Sequence, residues 1–172
     1  GAGKSTSFKQ RTGQVRPSEG HVQLRGQDIS GARPHEIARQ GVGIKTQVPN
    51  VFNAMTVQEN LWIAARHKHT PAFATDLTDK ILSELRLTPI ATREVGQLAH
   101  GQRQWVEIGT VLAGEPELIL VDEPAAGMTH EEVERTADLI REISRTRALL
   151  VVEHDLQFIK LLAKTVPVLH QG

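Results

Sequence analysis

Two short apolar runs that each end in polar residues constrain the fold of this chain more than any other feature. Residues 118–121 (Leu-Ile-Leu-Val) run directly into Asp122 and Glu123, and residues 148–152 (Ala-Leu-Leu-Val-Val) end two residues before His154. Continuous apolar runs of four or five residues, without alternation, are typical of strands in a parallel sheet that is covered on both faces. The two runs therefore predict an α/β protein.

Helical patterns lie between these two strands and across the middle of the chain. Thr129 followed by Glu132 forms a capping box, which predicts a helix and completes a right-handed βαβ unit. Three more helical patterns lie in the middle of the chain. The first begins near Thr56, the second covers residues 76–86 and the third covers about 101–113. The middle helices form a block between the N-terminal sequence and the βαβ unit.

Length and composition narrow the class of protein further. The chain has 172 residues, which fits one domain, and its 20 basic and 20 acidic residues balance, which argues against a strongly basic nucleic-acid surface. The absence of cysteine excludes a disulfide scaffold and fits a reducing cytosol. No apolar run approaches the ~20 residues that cross a bilayer. We expect one cytosolic domain over 1–172, incomplete at both ends, with a helical subdomain at about 56–113.

The first six residues resemble a phosphate-binding loop. Such a loop needs glycines that let backbone N–H groups approach phosphate oxygens, a lysine for the β- and γ-phosphates, and a hydroxyl for Mg²⁺. The chain supplies these groups in the order Gly1, Ala2, Gly3, Lys4, Ser5, Thr6. The first glycine of the full motif would precede Gly1, and a glycine-rich turn without a ligand is the alternative.

Polar residues at the ends of the two predicted strands are candidates for chemistry. In nucleotide hydrolases a carboxylate such as Asp122 holds Mg²⁺, and a second, such as Glu123, orients the attacking water. His154 follows the neighbouring strand, and parallel strands place their carboxyl ends in one crevice, where ligands bind. The alternatives are an ordinary charged strand end and a structural histidine.

Two further segments are weak evidence for a functional site when each is considered alone. Residues 98–102 (Leu-Ala-His-Gly-Gln) open a predicted helix, where free N–H groups and the helix dipole attract anions. Viewed alone, the segment is better explained as an ordinary loop entering a helix. Gln47 lies in a short polar segment that is not diagnostic in isolation.

The order of these motifs along the chain is far more specific than any one of them. It resembles the order found in the ATPases of ATP-binding-cassette (ABC) transporters, and the resemblance covers essentially the whole chain. The stretches at 41–65, 100–109, 122–129 and 151–155 are similar to the ATPase subunits of branched-chain amino-acid and urea uptake transporters.

The resemblance implies a fold and a function. The fold would be that of a P-loop nucleotide hydrolase, with a RecA-like parallel sheet and an inserted helical subdomain. The protein would bind and hydrolyse ATP with Mg²⁺ at the cytoplasmic face of the plasma membrane. Its partners would be a second ATPase subunit, transmembrane permease subunits and, indirectly, a solute-binding protein, with no nucleic acid.

The resemblance also implies a role for each candidate residue. Hydrolysis would depend on Glu123, His154 and Gln47. Mg²⁺ would be held by Ser5, Asp122 and Gln47. The nucleotide contacts would come from two groups of residues: Gly1, Ala2, Gly3, Lys4, Ser5 and Thr6 for the chain's own ATP, and Leu98, Ala99, His100, Gly101 and Gln102 for the ATP of the other protomer.

Several residues depart from the family's pattern. Ala99 and His100 stand where relatives carry Ser and Gly, and Ser7 and Arg11 stand on a helix face that is usually apolar. Two alternatives therefore remain: a soluble ABC ATPase that does not serve a transporter, and a truncated, inactive cassette. The short spacing from Gln47 to residue 98 leaves no room for the coiled coils or zinc modules typical of the first.

Overall fold

The structure, a computed structural model, describes residues 4–46 and 49–162, apart from the side chains of Lys4 and Ser5. Among the predicted site residues, Gly1, Ala2, Gly3 and Gln47 lie outside this part. The regular elements are α1 (Lys4–Arg11), β1 (Gln23–Leu24), β2 (Gln27–Asp28), α2 (Pro34–Arg39), β3 (Val42–Lys45), α3 (Val57–Arg66), α4 (Pro71–Glu84), α5 (His100–Leu112), β4 (Leu118–Asp122), α6 (His130–Ile143), β5 (Ala148–Val152) and α7 (Leu156–Leu162). Short 3₁₀ helices cover Thr88–Ile90 and Val95–Gln97.

The two apolar runs form neighbouring strands of a parallel sheet, as the sequence predicts. The sheet has the order β3-β4-β5, and Asp122 at the end of β4 lies opposite Val152 at the end of β5. β3 pairs with the other side of β4, with Lys45 opposite Val121. All three strands therefore end at the same edge of the sheet. A separate two-stranded antiparallel hairpin is formed by β1 and β2.

Helix α6 connects β4 to β5 and begins at the predicted capping box. The Glu132 N–H donates to Thr129 Oγ1 at 3.4 Å, and the Thr129 N–H donates to Glu132 Oε2 at 2.9 Å. These two bonds satisfy N–H groups that have no partner inside the helix. One apolar side of α6 packs with Ala125 and Phe158 in a buried cluster.

Helices α3, α4 and α5 share one buried core with the inner faces of β4 and α6. α3 begins after the predicted Thr56 cap, and Trp105, Ile108 and Leu112 of α5 are buried as predicted. The predicted start of the helix at 76 is wrong, because Thr70 caps it and Pro71 occupies its first position, which proline favours. The description of 56–113 as a subdomain stays a prediction.

The polar face of α1 does not point into a closed core. Phe8 is buried against a cluster that includes Ile37 and Leu120, whereas Arg11 is exposed and Ser7 is half-buried. Ser7 and Arg11 line an open cavity of about 470 Å³ over this face of the sheet. Arg11 therefore keeps its contact with solvent, and its charge is not buried on this face of α1.

The close approach of α3 to α5 generates a stability prediction. A Cβ at Gly109 would lie 2.6 Å from Leu61 Cδ2 and 3.1 Å from Leu85 Cδ1, both in buried side chains. We expect Gly109→Ala to lower the free energy of unfolding by about 1–3 kcal/mol, because overpacking outweighs the helix propensity of alanine. The measurement is urea unfolding followed by circular dichroism.

Gly31→Ala is the matched control, because a Cβ there meets no atom within 4 Å. We expect it to leave the protein as stable or up to about 1 kcal/mol more stable. Equal stability of the two variants would contradict the packing at Gly109.

Candidate active site

The carboxyl edge of the sheet brings together three of the predicted site residues. Asp122 ends β4, Glu123 follows it directly, and His154 lies two residues beyond β5. His154 Nδ1 lies 3.2 Å from Glu123 Oε1, and the His154 side chain is 67% exposed. The edge therefore presents a carboxylate and an imidazole, in contact with each other, to solvent.

Glu123 has an unusual backbone conformation. Its φ is 47°, in the left-handed region that non-glycine residues rarely adopt. Its N–H donates to Val152 O at 2.9 Å, so the pairing of β4 with β5 continues through this residue. Such conformations cost energy and cluster at functional sites, where the surrounding structure holds them. Arg25, Arg86 and Glu115 also have a positive φ, so the conformation supports Glu123 as a site residue only together with its position at the edge of the sheet.

Asp122 lies in a strongly acidic environment. Burial raises the pKa of its carboxyl above the ordinary value, and the nearby charges of Glu123 and Glu153 raise it further. Lys45 and Lys9 oppose this shift. A carboxylate in such surroundings favours a cation, because the cation relieves the repulsion among the three acids.

The edge does not supply a complete metal cage. In the described part of the chain, no group of three or more His, Asp or Glu side chains is arranged to hold a metal ion. Mg²⁺ in nucleotide sites is commonly bound through one or two carboxylates together with phosphate oxygens and water. The donor chemistry of Asp122 fits that mode of binding.

Glu153 organises this edge, and the sequence analysis assigned it no role. Its buried carboxylate accepts hydrogen bonds from the N–H groups of Ala125 (3.1 Å), His154 (2.9 Å) and Asp155 (3.2 Å). One side chain thereby joins the loop after β4 to the loop after β5. An acidic residue directly after an apolar strand was the available signal, although the burial of Glu153 could not be read from the sequence.

The start of α5 packs against the loop that follows Glu123. Ala99 is the N-cap and supplies no side-chain acceptor, while its N–H donates to Gln102 Oε1 at 3.3 Å. His100 Nε2 lies 3.0 Å from Ala126 O. Gly101 is buried beside Glu132, where a Cβ would lie 2.4 Å from Glu132 Oε1. The segment 98–102 is therefore held against residues of its own chain.

Glu132 consequently connects α6 to α5. Its carboxyl has a pKa below the ordinary value, chiefly because the Thr129 N–H donates to it, with a smaller contribution from the Gly101 N–H. The N-terminal end of a helix stabilises a carboxylate in the same way. This contact fixes the start of α5 relative to the start of α6.

The predicted phosphate loop is described only at its end. Lys4, Ser5 and Thr6 form the first turn of α1, and the Thr6 side chain is exposed. The start of a helix is the place where a phosphate-binding loop is expected.

Comparison with known proteins identifies the family of this chain. Residues 1–126 match the ABC transporter family. The branched-chain amino acid transport ATP-binding protein BraF of Pseudomonas aeruginosa is 34% identical over 191 residues, covering 100% of this chain and 74% of that protein. LivG of Escherichia coli K12, with the same transport description, is 32% identical over 190 residues at the same coverage. The chain belongs to the ATPases of ABC transporters.

Other relatives widen the range of transported substrates. The lipopolysaccharide export ATP-binding protein LptB of Acidithiobacillus ferridurans is 34% identical over 174 residues, covering 100% of this chain and 72% of that protein.

Among solved structures, a nucleotide-free ATP-binding cassette from an ABC transporter has a TM-score of 0.78 and 29% identity, covering 92% of this chain and 69% of its own. A cassette in its ADP conformation has a TM-score of 0.79 and 29% identity, covering 94% and 70%.

Membership of this family confirms the predicted fold and the predicted reaction class. The α/β fold with a parallel sheet is that of ABC cassettes, and the protein is an ATPase whose hydrolysis of ATP is coupled to transport. No helix in the described ranges 4–46 and 49–162 combines the length and the apolar character needed to cross a bilayer.

The role of Glu153 generates a prediction about the edge of the sheet. Glu153→Ala leaves three N–H donors without their acceptor, each at a cost of about 1–3 kcal/mol where it is buried. We therefore expect the free energy of unfolding to fall by about 3 kcal/mol or more in chemical denaturation. Glu19→Ala, at an exposed loop position, is the control and should change it by less than about 0.5 kcal/mol. Similar values for both variants would refute the bridging role of Glu153.

Proposed function

We propose that this protein is the ATP-hydrolysing subunit of an importer for branched-chain amino acids or for urea and short amides. The observation that carries the enzymatic part is the contact between His154 and Glu123 beside Asp122 at the carboxyl edge of the sheet. The names of BraF and LivG support the amino-acid substrate, since both match over the full length of this chain. LptB supports lipopolysaccharide export as the second candidate.

In the proposed reaction, the residues of this edge position water and the terminal phosphate of ATP. Bound Mg²⁺ would neutralise phosphate charge, and Asp122, Ser5 and Gln47 would hold it. Glu123 would accept the proton of the water that attacks the γ-phosphorus, and ADP would leave. His154 Nδ1, 3.2 Å from Glu123 Oε1, would donate to that carboxylate and so fix the group that receives the proton.

The remaining assigned residues would bind nucleotide. Gly1, Ala2, Gly3, Lys4, Ser5 and Thr6 would cradle the phosphates of this subunit's ATP. The segment Leu98, Ala99, His100, Gly101 and Gln102 would face the ATP held by a second ATPase subunit. With Ala99 at the N-cap and no hydroxyl there, backbone N–H groups and the helix dipole would carry that contact.

The permease would dock on the surface formed by α3, α4 and the loop before α3, and we call this the α3–α4 surface. It contains a cavity of about 420 Å³ lined by Met55, Trp62 and neighbouring residues. Phe52 beside it is 59% exposed. Asn60 is buried, accepts from the Phe52 N–H at 2.7 Å and donates to Phe52 O at 3.0 Å. An exposed aromatic residue is thus presented on a firmly held loop, which suits a protein interface.

Such a partnership would place the protein at the cytoplasmic face of the inner membrane. It would be bound there through permease subunits, which in turn would receive solute from a binding protein. Reconstitution with the permease subunits in vesicles, followed by uptake of labelled leucine and of labelled urea, tests the substrate. ATP-dependent extraction of lipopolysaccharide without uptake of either solute would favour the second candidate.

The role of Glu123 as proton acceptor predicts the effect of Glu123→Gln in the full-length protein. We expect steady-state ATP hydrolysis to fall by about 10²-fold or more, because the amide cannot accept the proton of water. ATP affinity, measured by calorimetry, should stay within about threefold. Glu131→Gln, an exposed change on α6, should leave both quantities unchanged. Hydrolysis near the wild-type rate in Glu123→Gln would remove Glu123 from the mechanism.

The α3–α4 surface predicts a separate loss of coupling. We expect Phe52→Asp to reduce solute uptake at least tenfold in the reconstituted transporter, because a carboxylate replaces an exposed apolar contact. The detached subunit should still bind ATP with wild-type affinity. Val15→Asp changes another exposed apolar residue, outside this surface, and should leave uptake intact. Normal uptake with Phe52→Asp would argue against docking at this surface.

A further inference from the structure

Helix α5 holds the connection between β3 and α3 at two points. Arg103 and Glu107 are four residues apart on α5, so their side chains lie on one face of the helix. Glu107 Oε2 lies 2.7 Å from Nζ of Lys45, the last residue of β3. Arg103 donates a hydrogen bond to Asn53 Oδ1, in the loop that leads to α3. One face of α5 therefore contacts the chain on both sides of the segment that contains Gln47.

The contact between Lys45 and Glu107 is a buried ion pair. Their side chains are 3% and 5% exposed, and Lys45 Nζ also donates to Thr46 O at 3.0 Å. Removing two charges from water is expensive, and apolar residues of similar size often stabilise a fold as well or better. Stability alone is therefore a weak explanation for this pair. What the pair supplies is a defined position of the carboxyl end of β3 relative to α5.

The second contact fixes the loop before α3 relative to the start of α5. Asn53 O accepts from the Gly96 N–H at 2.9 Å, and Met55 O accepts from the Val95 N–H at 3.0 Å. Val95–Gln97 is the 3₁₀ helix that leads into residues 98–102. Arg103, just beyond that segment, adds its hydrogen bond to Asn53. Backbone bonds thus tie the loop to the 3₁₀ helix before α5, and Arg103 ties it to α5 itself.

We propose that Arg103 and Glu107 are positioning residues for ATP hydrolysis. In this role they act through other residues: their contacts with Lys45 and Asn53 fix the carboxyl edge of the sheet relative to the segment 98–102. Lys45 is paired in register with Val121, one residue before Asp122, so a displacement of β3 reaches the acidic edge directly. The inference rests on the proposed function, because ATP hydrolysis is one of the two measurements that test it.

The contact between Arg103 and Asn53 provides the primary experiment. Both residues lie near the surface, so substituting them leaves the buried core unchanged. In the full-length protein we expect Arg103→Ala and Asn53→Ala each to lower kcat about 10- to 100-fold, the scale of a misplacement near 1 Å. KM for ATP should change by less than about threefold. The double variant should resemble either single variant, because both remove one interaction.

Arg145→Ala is the matched control, an exposed arginine in the turn after α6. It should keep wild-type kcat and KM. Arg103→Lys, which retains a donor, should recover part of the kcat lost in Arg103→Ala. A residue that merely stabilised the fold would produce neither this rescue nor a loss confined to kcat.

Hydrogen exchange supplies the readout that does not depend on catalysis. Without nucleotide, amides of residues 50–56 should exchange at least tenfold faster in Arg103→Ala than in Arg145→Ala, with unchanged exchange in α6. Glu107→Gln, which keeps the shape and loses the charge, should show the same loss of kcat with KM retained.

Three outcomes would overturn the inference: unchanged kcat in Arg103→Ala, single effects that multiply in the double variant, or unchanged amide exchange of residues 50–56. In each of these outcomes the wild-type protein still hydrolyses ATP, so the proposed function survives. A wild-type protein that does not hydrolyse ATP would instead overturn both the proposed function and the inference.

Discussion

The parallel pairing of β4 with β5 is the constraint on which the candidate active site depends. Asp122 lies opposite Val152, and the Glu123 N–H extends the pairing to Val152 O. The register of β4 is held from both sides, because the strand pairs with β3 as well as with β5. Because parallel strands end at one edge, the same register brings Glu123 within 3.2 Å of His154.

Two buried carboxylates hold the elements around this edge of the sheet in defined positions relative to one another. Glu153 is satisfied by backbone N–H groups and joins the loops after β4 and β5. Glu107 is satisfied by Lys45 and joins α5 to β3. Both arrangements cost desolvation energy and are tolerable only because their partners are complete. Polar groups of this kind specify one arrangement of elements, which a uniformly apolar core does less well.

The sequence predicts those parts of the molecule that depend on local patterns. β4 and β5 follow from continuous apolar runs, and α6 follows from its capping box and helical periodicity. β3 went unpredicted because Gly43 and Lys45 interrupt its four residues, and only pairing with β4 makes it a strand. The pairing of Lys45 with Glu107 joins residues that are far apart in sequence, and a buried charge leaves no periodic signal. Its position follows from tertiary packing alone.

Helix α5 contacts three of the parts that the proposed function uses: the loop after Glu123, β3 and α3. Its start lies against the loop after Glu123, through His100 and Ala126. Its middle grips β3 and the loop before α3, and Gly109 allows α3 to approach closely enough for Leu61 to pack on its surface. A permease docked on the α3–α4 surface would therefore meet α5 before it meets the sheet. Packed elements with discrete contacts transmit displacement because they cannot deform continuously, so the coupling of transport to hydrolysis should depend on this one helix.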